Sequence, residues 1–244
     1  MPFTLAHPAV LLPLANRRGW WHFPAMVLGS MAPDFEYFLR GRAVGAYGHT
    51  LWGVVLFDLP LVVLVYLVGK YLVVRSLRPY FPQLPPLTQP HQPRNKTVAG
   101  LVFYYSALFG IATHIIWDSF THRTGWVVKH WPVFRGTISL FGYKTPLYSL
   151  LQDSSSLIGL IAIAWFLLYR YIRHDKVRLG PAALRRKVVF WVISVVLALV
   201  ILLLWNLLDG ISLAYPVTWL VRSIDAAILS LLLLAVVNLL DVAR

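Results

Sequence analysis

The sequence predicts an all-α protein, a polytopic membrane bundle of about five to six hydrophobic helices. Three observations carry this. The 244 residues are 59% hydrophobic, where a soluble domain is roughly half apolar. Only 13% are charged, about half the usual share. The apolar residues also fall in runs long enough to cross a bilayer as helices and too continuous for the alternating strands of a barrel.

The net charge of +13 gathers in loops beside these runs. Lys and Arg there set topology and meet anionic lipid. No basic surface with groove-reading elements emerges, so membrane lipid is the expected partner and nucleic acid is not. Cysteine is absent, which leaves His, Asp and Glu for any metal. The first apolar stretch lacks a basic leader and is broken by Pro8 and Pro13, so no signal peptide is expected. The chain reads as one integral membrane domain, 1–244. Residues 1–156 form a metal-site part with two spans, and 157–244 hold the remaining spans.

Residues 1–22 are short of apolar length and punctuated by proline; Thr4 is a candidate N-cap before His7. Residues 23–39 give a marginal apolar helix running into Ala32-Pro33-Asp34-Phe35-Glu36-Tyr37, re-entrant or interfacial by its length. The first clear span covers about Leu51 to Val74, with Asp58 and Pro60 inside it, Pro60 marking a candidate break. A proline-rich loop follows, with His91 solvated. The second span runs from about Thr97 to Trp117. A long aromatic connection, 123–156, ends in Gln152-Asp153-Ser154-Ser155-Ser156, which reads as a helix cap. Three further spans follow, at about Leu157–Ile172, Val188–Leu208 and Val217–Leu240. Arg222 and Asp225, three apart on the last, are candidates to pair.

The second span delivers the segment that carries chemistry, His114-Ile115-Ile116-Trp117-Asp118-Ser119-Phe120-Thr121-His122. On a helix, steps of four drift only about 40°, so all three side chains project from one face. Two imidazoles and a carboxylate converging within two turns suit a divalent metal such as zinc. The positive-inside rule puts loops 75–98 and 170–187 in the cytoplasm. His49, His114, Asp118, His122 and Gln152–Ser156 then share the opposite face. Arg17, Arg18, Arg40 and Arg42 oppose translocation of the amino-terminal segment. A full crossing by 23–39 would remove His7 from that face.

The matching pieces Met1-Pro2-Phe3-Thr4-Leu5-Ala6-His7, Gly29-Ser30-Met31-Ala32-Pro33-Asp34, Gly48-His49-Thr50, Trp117-Asp118-Ser119-Phe120-Thr121-His122 and the stretch 152–159 resemble the DUF4184 family of uncharacterised bacterial membrane proteins. They are spread over roughly the first two thirds of the chain. More distantly, the order His, Asp, His, His-x3-Asp, His is similar to membrane-bound metal-dependent hydrolases and to the zinc-dependent phospholipase C and S1/P1 nuclease fold. That resemblance implies metal-site helices in the amino-terminal two thirds. It implies one metal on Asp34, His49, His114 and Asp118, with His7 and His122 serving a neighbour. The later His-x3-Glu pair of the soluble enzymes is missing, so one or two ions, zinc by ligand type, are expected rather than three.

The function that follows is a hydrolase at the surface of the bacterial cytoplasmic membrane, with its site on the extracytoplasmic side. A phosphodiester or lipid-linked substrate fits that position. Asp118 would bridge metals, and Asp34 or Glu36 would accept the proton from water. Lys129, Arg123 and Lys144 are candidates to hold an anionic headgroup, or to anchor the protein at the interface. Two alternatives use the same residues: a structural metal site that clamps loops together, and an ion- or proton-coupled transporter. Transport wants polar groups at mid-membrane on several spans, and Asp58 alone meets that.

Overall fold

Each long apolar run folds as a helix. The computed structural model describes residues 3–16, 21–82, 84, 95–140, 142–173, 180–210 and 215–242. His91, Arg17, Arg18 and Arg94 lie outside the described residues. A 3-10 helix, Thr4–Leu14, is followed by α1 (Phe23–Gly29), a 3-10 turn (Ala32–Asp34), α2 (Phe35–Arg40) and α3 (Leu51–Leu77). Then come α4 (Lys96–Thr121), α5 (Trp126–His130), a hairpin of β1 (Thr137–Leu140) and β2 (Tyr143–Pro146), α6 (Leu147–Ile172), α7 (Pro181–Asp209) and α8 (Pro216–Val242). Among the described residues five helices are long and apolar enough to cross a membrane: α3, α4 with α5, α6, α7 and α8. This is a multi-pass, all-α bundle, and its small antiparallel hairpin pairs Thr137 with Pro146 and Leu140 with Tyr143.

Residues 23–39 do not form a span. Helix α1 stops at Gly29, and Pro33 restarts the chain as a 3-10 turn that leads into α2. Pro60 does not break α3. A proline lacks the N–H and crowds the carbonyl four residues back. The helix widens into a π turn over Val54–Asp58 just before it, which makes room for the ring. The third span begins at Leu147 rather than Leu157, with Pro146 as its N-cap. Gln152–Ser156 therefore lies inside a helix and caps nothing. Its serines donate back to the carbonyls of Leu151 and Gln152.

Two apolar cores hold the bundle. Ala25, Ala32, Val62, Ala107 and Ile111 join α1, α3 and α4. Leu77, Phe190 and Ala235 join the far end of α3 to α7 and α8. There the Tyr80 ring stacks on Phe190 at 4.1 Å and its hydroxyl donates to Asn238 Oδ1 at 3.1 Å. From Val188 to Trp205 helix α7 is apolar on every side but for Ser194, and Val192, Val196, Leu199 and Leu203 are exposed. A helix without a polar face suits lipid on the sides it does not pack. The alternation of spans brings the start of α3, the end of α4, the start of α6, the end of α7 and the start of α8 to one end of the bundle.

Candidate metal centre

The side chains for chemistry come together at that end through three close backbone approaches. At the crossing of α1 and α4, a Cβ on Gly110 would lie 2.1 Å from the Met26 carbonyl, and one on Gly29 would lie 2.2 Å from the Ala107 carbonyl. Only glycine lets the two backbones meet. The approach sets the Ser30 carbonyl 2.8 Å from His114 Nδ1. A Cβ on Gly48 would likewise lie 2.2 Å from the Pro33 carbonyl, so the loop bearing His49 lies against the turn bearing Asp34.

A carbonyl oxygen can only accept, so Nδ1 of His114 carries the proton. In the neutral ring, Nε2 is then a bare lone pair. It faces Asp118 Oδ2 at 3.2 Å and Asp34 Oδ1 at 3.7 Å, and the imidazole is fully buried. His49 Nε2 faces the same oxygens at 3.3 and 3.8 Å. Lone pairs meeting oxygens this closely repel unless a proton or a metal cation lies between them. One ligand atom from each of Asp34, His49, His114 and Asp118 lies within 4.8 Å of the other three. A tetrahedral site with bonds of about 2.0–2.1 Å has edges of about 3.3–3.4 Å. The four separations fit such a site with small adjustments.

The surroundings orient these groups. The Thr4 hydroxyl donates to Asp34 Oδ2 at 2.6 Å, leaving Oδ1 toward the histidines. Thr4 is therefore not an N-cap; Phe3 holds that position without a side-chain bond. The Phe3 N–H donates to Ser156 Oγ at 2.9 Å, and Gly159 packs on Ala6, which seats the 3-10 helix on α6. His7 on that helix stacks on His114, ring centroids 3.8 Å apart, and its Nε2 lies 3.6 Å from Asp118 Oδ1. His122 is the C-cap of α4, in extended conformation, so the helix carries only His114 and Asp118. Its Nδ1 still lies 3.5 Å from Asp118 Oδ2. Asp118 thus has one oxygen toward His7 and the other toward His49, His114 and His122.

Burial, reinforced by His114, holds the His7 imidazole down at about 3. It is neutral at physiological pH, as a metal ligand must be. Burial pushes the Asp34 carboxyl above its usual range, against the pull of His114 and the Thr4 hydroxyl. His7 Nε2, His114 Nε2 and Asp118 Oδ1 are buried without a hydrogen-bond partner among the described residues. Buried polar atoms are nearly always paired. Three together, all on nitrogen or carboxylate donors, fit a divalent cation, and this His/Asp group can hold one.

Glu36 does not join the group. Its Oε2 accepts from the N–H groups of Ala46, Tyr47 and Gly48 at 2.9, 2.8 and 3.3 Å, and Oε1 accepts from Arg40 at 2.9 Å. Burial would raise its pKa, but these donors outweigh it and hold the carboxyl at about 2. Glu36 shapes the loop that presents His49, a role its sequence position did not suggest. Thr4 and Ser30 are the other residues that sequence reasoning missed; the only signal was their closeness to His7 and to the Pro-Asp turn. His22 caps α1 by accepting from the Ala25 N–H at 3.2 Å. His130 Nδ1 bonds the Trp126 carbonyl, outside the group.

Fold and site together define a multi-pass helical membrane protein with a buried His/Asp group able to take a metal ion. The chain belongs to the family described as "Domain of unknown function (DUF4184)", whose model matches residues 1–241. No curated protein and no solved structure matches it.

Proposed function

We propose that this protein is a metal-dependent hydrolase of the bacterial cytoplasmic membrane, acting at the extracytoplasmic surface on a phosphodiester or lipid-linked substrate. The observation that carries the reading is the set of unpartnered buried atoms on His7, His114 and Asp118. Zinc suits the donor set of two imidazoles and two carboxylates at Asp34, His49, His114 and Asp118. His7 and His122, on either side of Asp118, supply nitrogen donors for a second ion. A divalent cation bound here would polarise a phosphoryl oxygen and make water a nucleophile near neutral pH.

The protein's own groups supply the rest. His114 is fully buried, whereas the His49 side chain is about a third exposed at 34%. One side of the group is therefore open to a substrate, as a catalytic site requires and a closed structural site does not. Asp118 turns Oδ1 to His7 and Oδ2 to His49, His114 and His122, and so holds all four in register. The loop N–H groups occupy Glu36, which leaves Asp34 as the carboxylate placed to take a proton from water. A structural clamp is the second reading. It is favoured by the way the group joins the 3-10 helix, the 32–34 turn, the 48–50 loop and α4.

The test is metal content of the detergent-purified protein after zinc, manganese and iron have each been offered, followed by hydrolysis of a chromogenic phosphodiester. About one or two ions per chain are expected, with hydrolysis that disappears on chelation and returns with metal. Metal without hydrolysis of phosphodiesters or phospholipids would favour the clamp. Absence of metal would sink both readings.

A further inference from the structure

A cavity of about 370 Å³ lies between the 3-10 helix, α4 and α6, with His7 in its wall. This is within the size range of small-molecule pockets, roughly 300–1,000 Å³. Its other walls are mainly small or apolar: Ala6, Ala9, Trp117, Gly159 and Ala162. The polar groups that line it are already engaged with the protein. Thr113 donates to the Gly110 carbonyl. Ser155 and Ser156 donate to the Gln152 carbonyl and accept from the Trp117 indole and the Phe3 N–H. A water needs two to four polar partners to be held in a cavity, and here the unpartnered lining atom is His7 Nε2, turned to Asp118.

Two of the three walls are helices long and apolar enough to cross a membrane, and His7 links the space to the His/Asp group. From this we propose that the cavity receives one acyl chain of a membrane phospholipid and sets its phosphate end at the His/Asp group. The site would thereby select substrates by their chain as well as by their phosphoester. This rests on the hydrolase reading for its purpose, but not for its detection. A larger cavity of about 790 Å³ lies across the 3-10 helix, among α2, α6 and α8, and is lined by Gln152 and the exposed Asp153. Its other walls are apolar, among them Phe38, Leu157, Leu160, Leu220 and Ile224, so it competes for the same chain and serves as the control.

The experiment uses the full chain in nanodiscs of phosphatidylethanolamine and phosphatidylglycerol, with a trace of phosphatidylglycerol bearing a mid-chain diazirine. Photolysis and peptide mass spectrometry then locate the adducts. Adducts are expected on Ala6, Ala9, Gly159 and Ala162, beside the lipid-facing Val192 and Val196. Ala162→Trp should lower the cavity adducts by about tenfold relative to those on Val192 and Val196. Ala9→Phe, from the opposite wall, should do the same if Ala162→Trp fails to fold. Leu220→Trp, in the larger cavity, should leave them unchanged. Labelling of Val192 and Val196 without the cavity positions would overturn the proposal, as would cavity labelling that neither filling variant reduces. The same labelling in His114→Ala, with metal lost, would keep the chain site while metal assays decide the hydrolase reading separately.

Discussion

At Arg222 the buried guanidinium donates to Asp209 Oδ2, to Asn206 Oδ1 at 3.1 Å and to the Gly41 carbonyl at 3.3 Å, and it lies 5.0 Å over the Trp205 ring. At His114 the equally buried Nε2 meets no hydrogen-bond partner. Both groups lie at the same end of the same bundle. The first joins α7, α8 and the loop after α2 with every contact supplied by the protein. The second leaves lone pairs on several side chains aimed at one point. Asp58 and Asp225 also hold unpartnered oxygens, but not within the His/Asp group. A buried charge that is satisfied internally fastens elements together, and a cluster of unsatisfied donors calls for something from outside.

Breaking the comparison at its unsatisfied member should have the largest effect. His114→Ala or Asp118→Ala should abolish tightly held metal while the helical circular dichroism stays, as measured by elemental analysis of the purified protein. Breaking it at Arg222 should do the reverse. Arg222→Ala should cost about 3 kcal/mol, the low end for a broken buried pair because Asp209 keeps some access to water. Denaturation in detergent measures this, and metal per folded chain should not change. Equal metal loss from the Arg222 and His114 variants would erase the distinction.

Two smaller effects sharpen it. Thr4→Val removes the hydroxyl that aims Asp34 and should weaken metal affinity by roughly 10–100-fold, the usual cost of losing a group that orients a ligand. Titration against a competing chelator measures it. Glu36→Gln removes a contribution to stability that depends on pH. The folded carboxyl sits at about 2, below its ordinary 4.5, so its contribution to stability is present above pH 4.5 and is lost as pH falls toward 2. The melting temperature of the wild type should therefore drop more steeply over that interval than that of the variant.

The five spans were legible because the apolar runs are long and separated by polar or proline-rich segments. Span alternation and the four-residue step on α4 brought His49, His114 and Asp118 to one face, and the family resemblance added Asp34 to them. What sequence could not give was non-local. Arg222 and Asp225 are helical neighbours, yet the arginine reaches Asp209 on the preceding helix. The serines after Gln152 look like a cap, but β2 delivers the chain so that α6 starts at Leu147. The four-residue step continues to His122, but the helix ends at Thr121. Glu36 reads as a spare carboxylate until the fold brings the 46–48 amides to it.

The bond from the Phe3 N–H to Ser156 Oγ spans 153 positions of sequence, and this sets an order in time. His7 leaves the ribosome well before the helix that seats it. At about 5–20 residues per second, the amino-terminal segment waits several seconds for α6 to be made. Through that interval His7 and Thr4 have no α6 to seat them. Asp34, His49, His114 and Asp118 are all made before the third span, but His7 is seated beside them only once that span has taken its place.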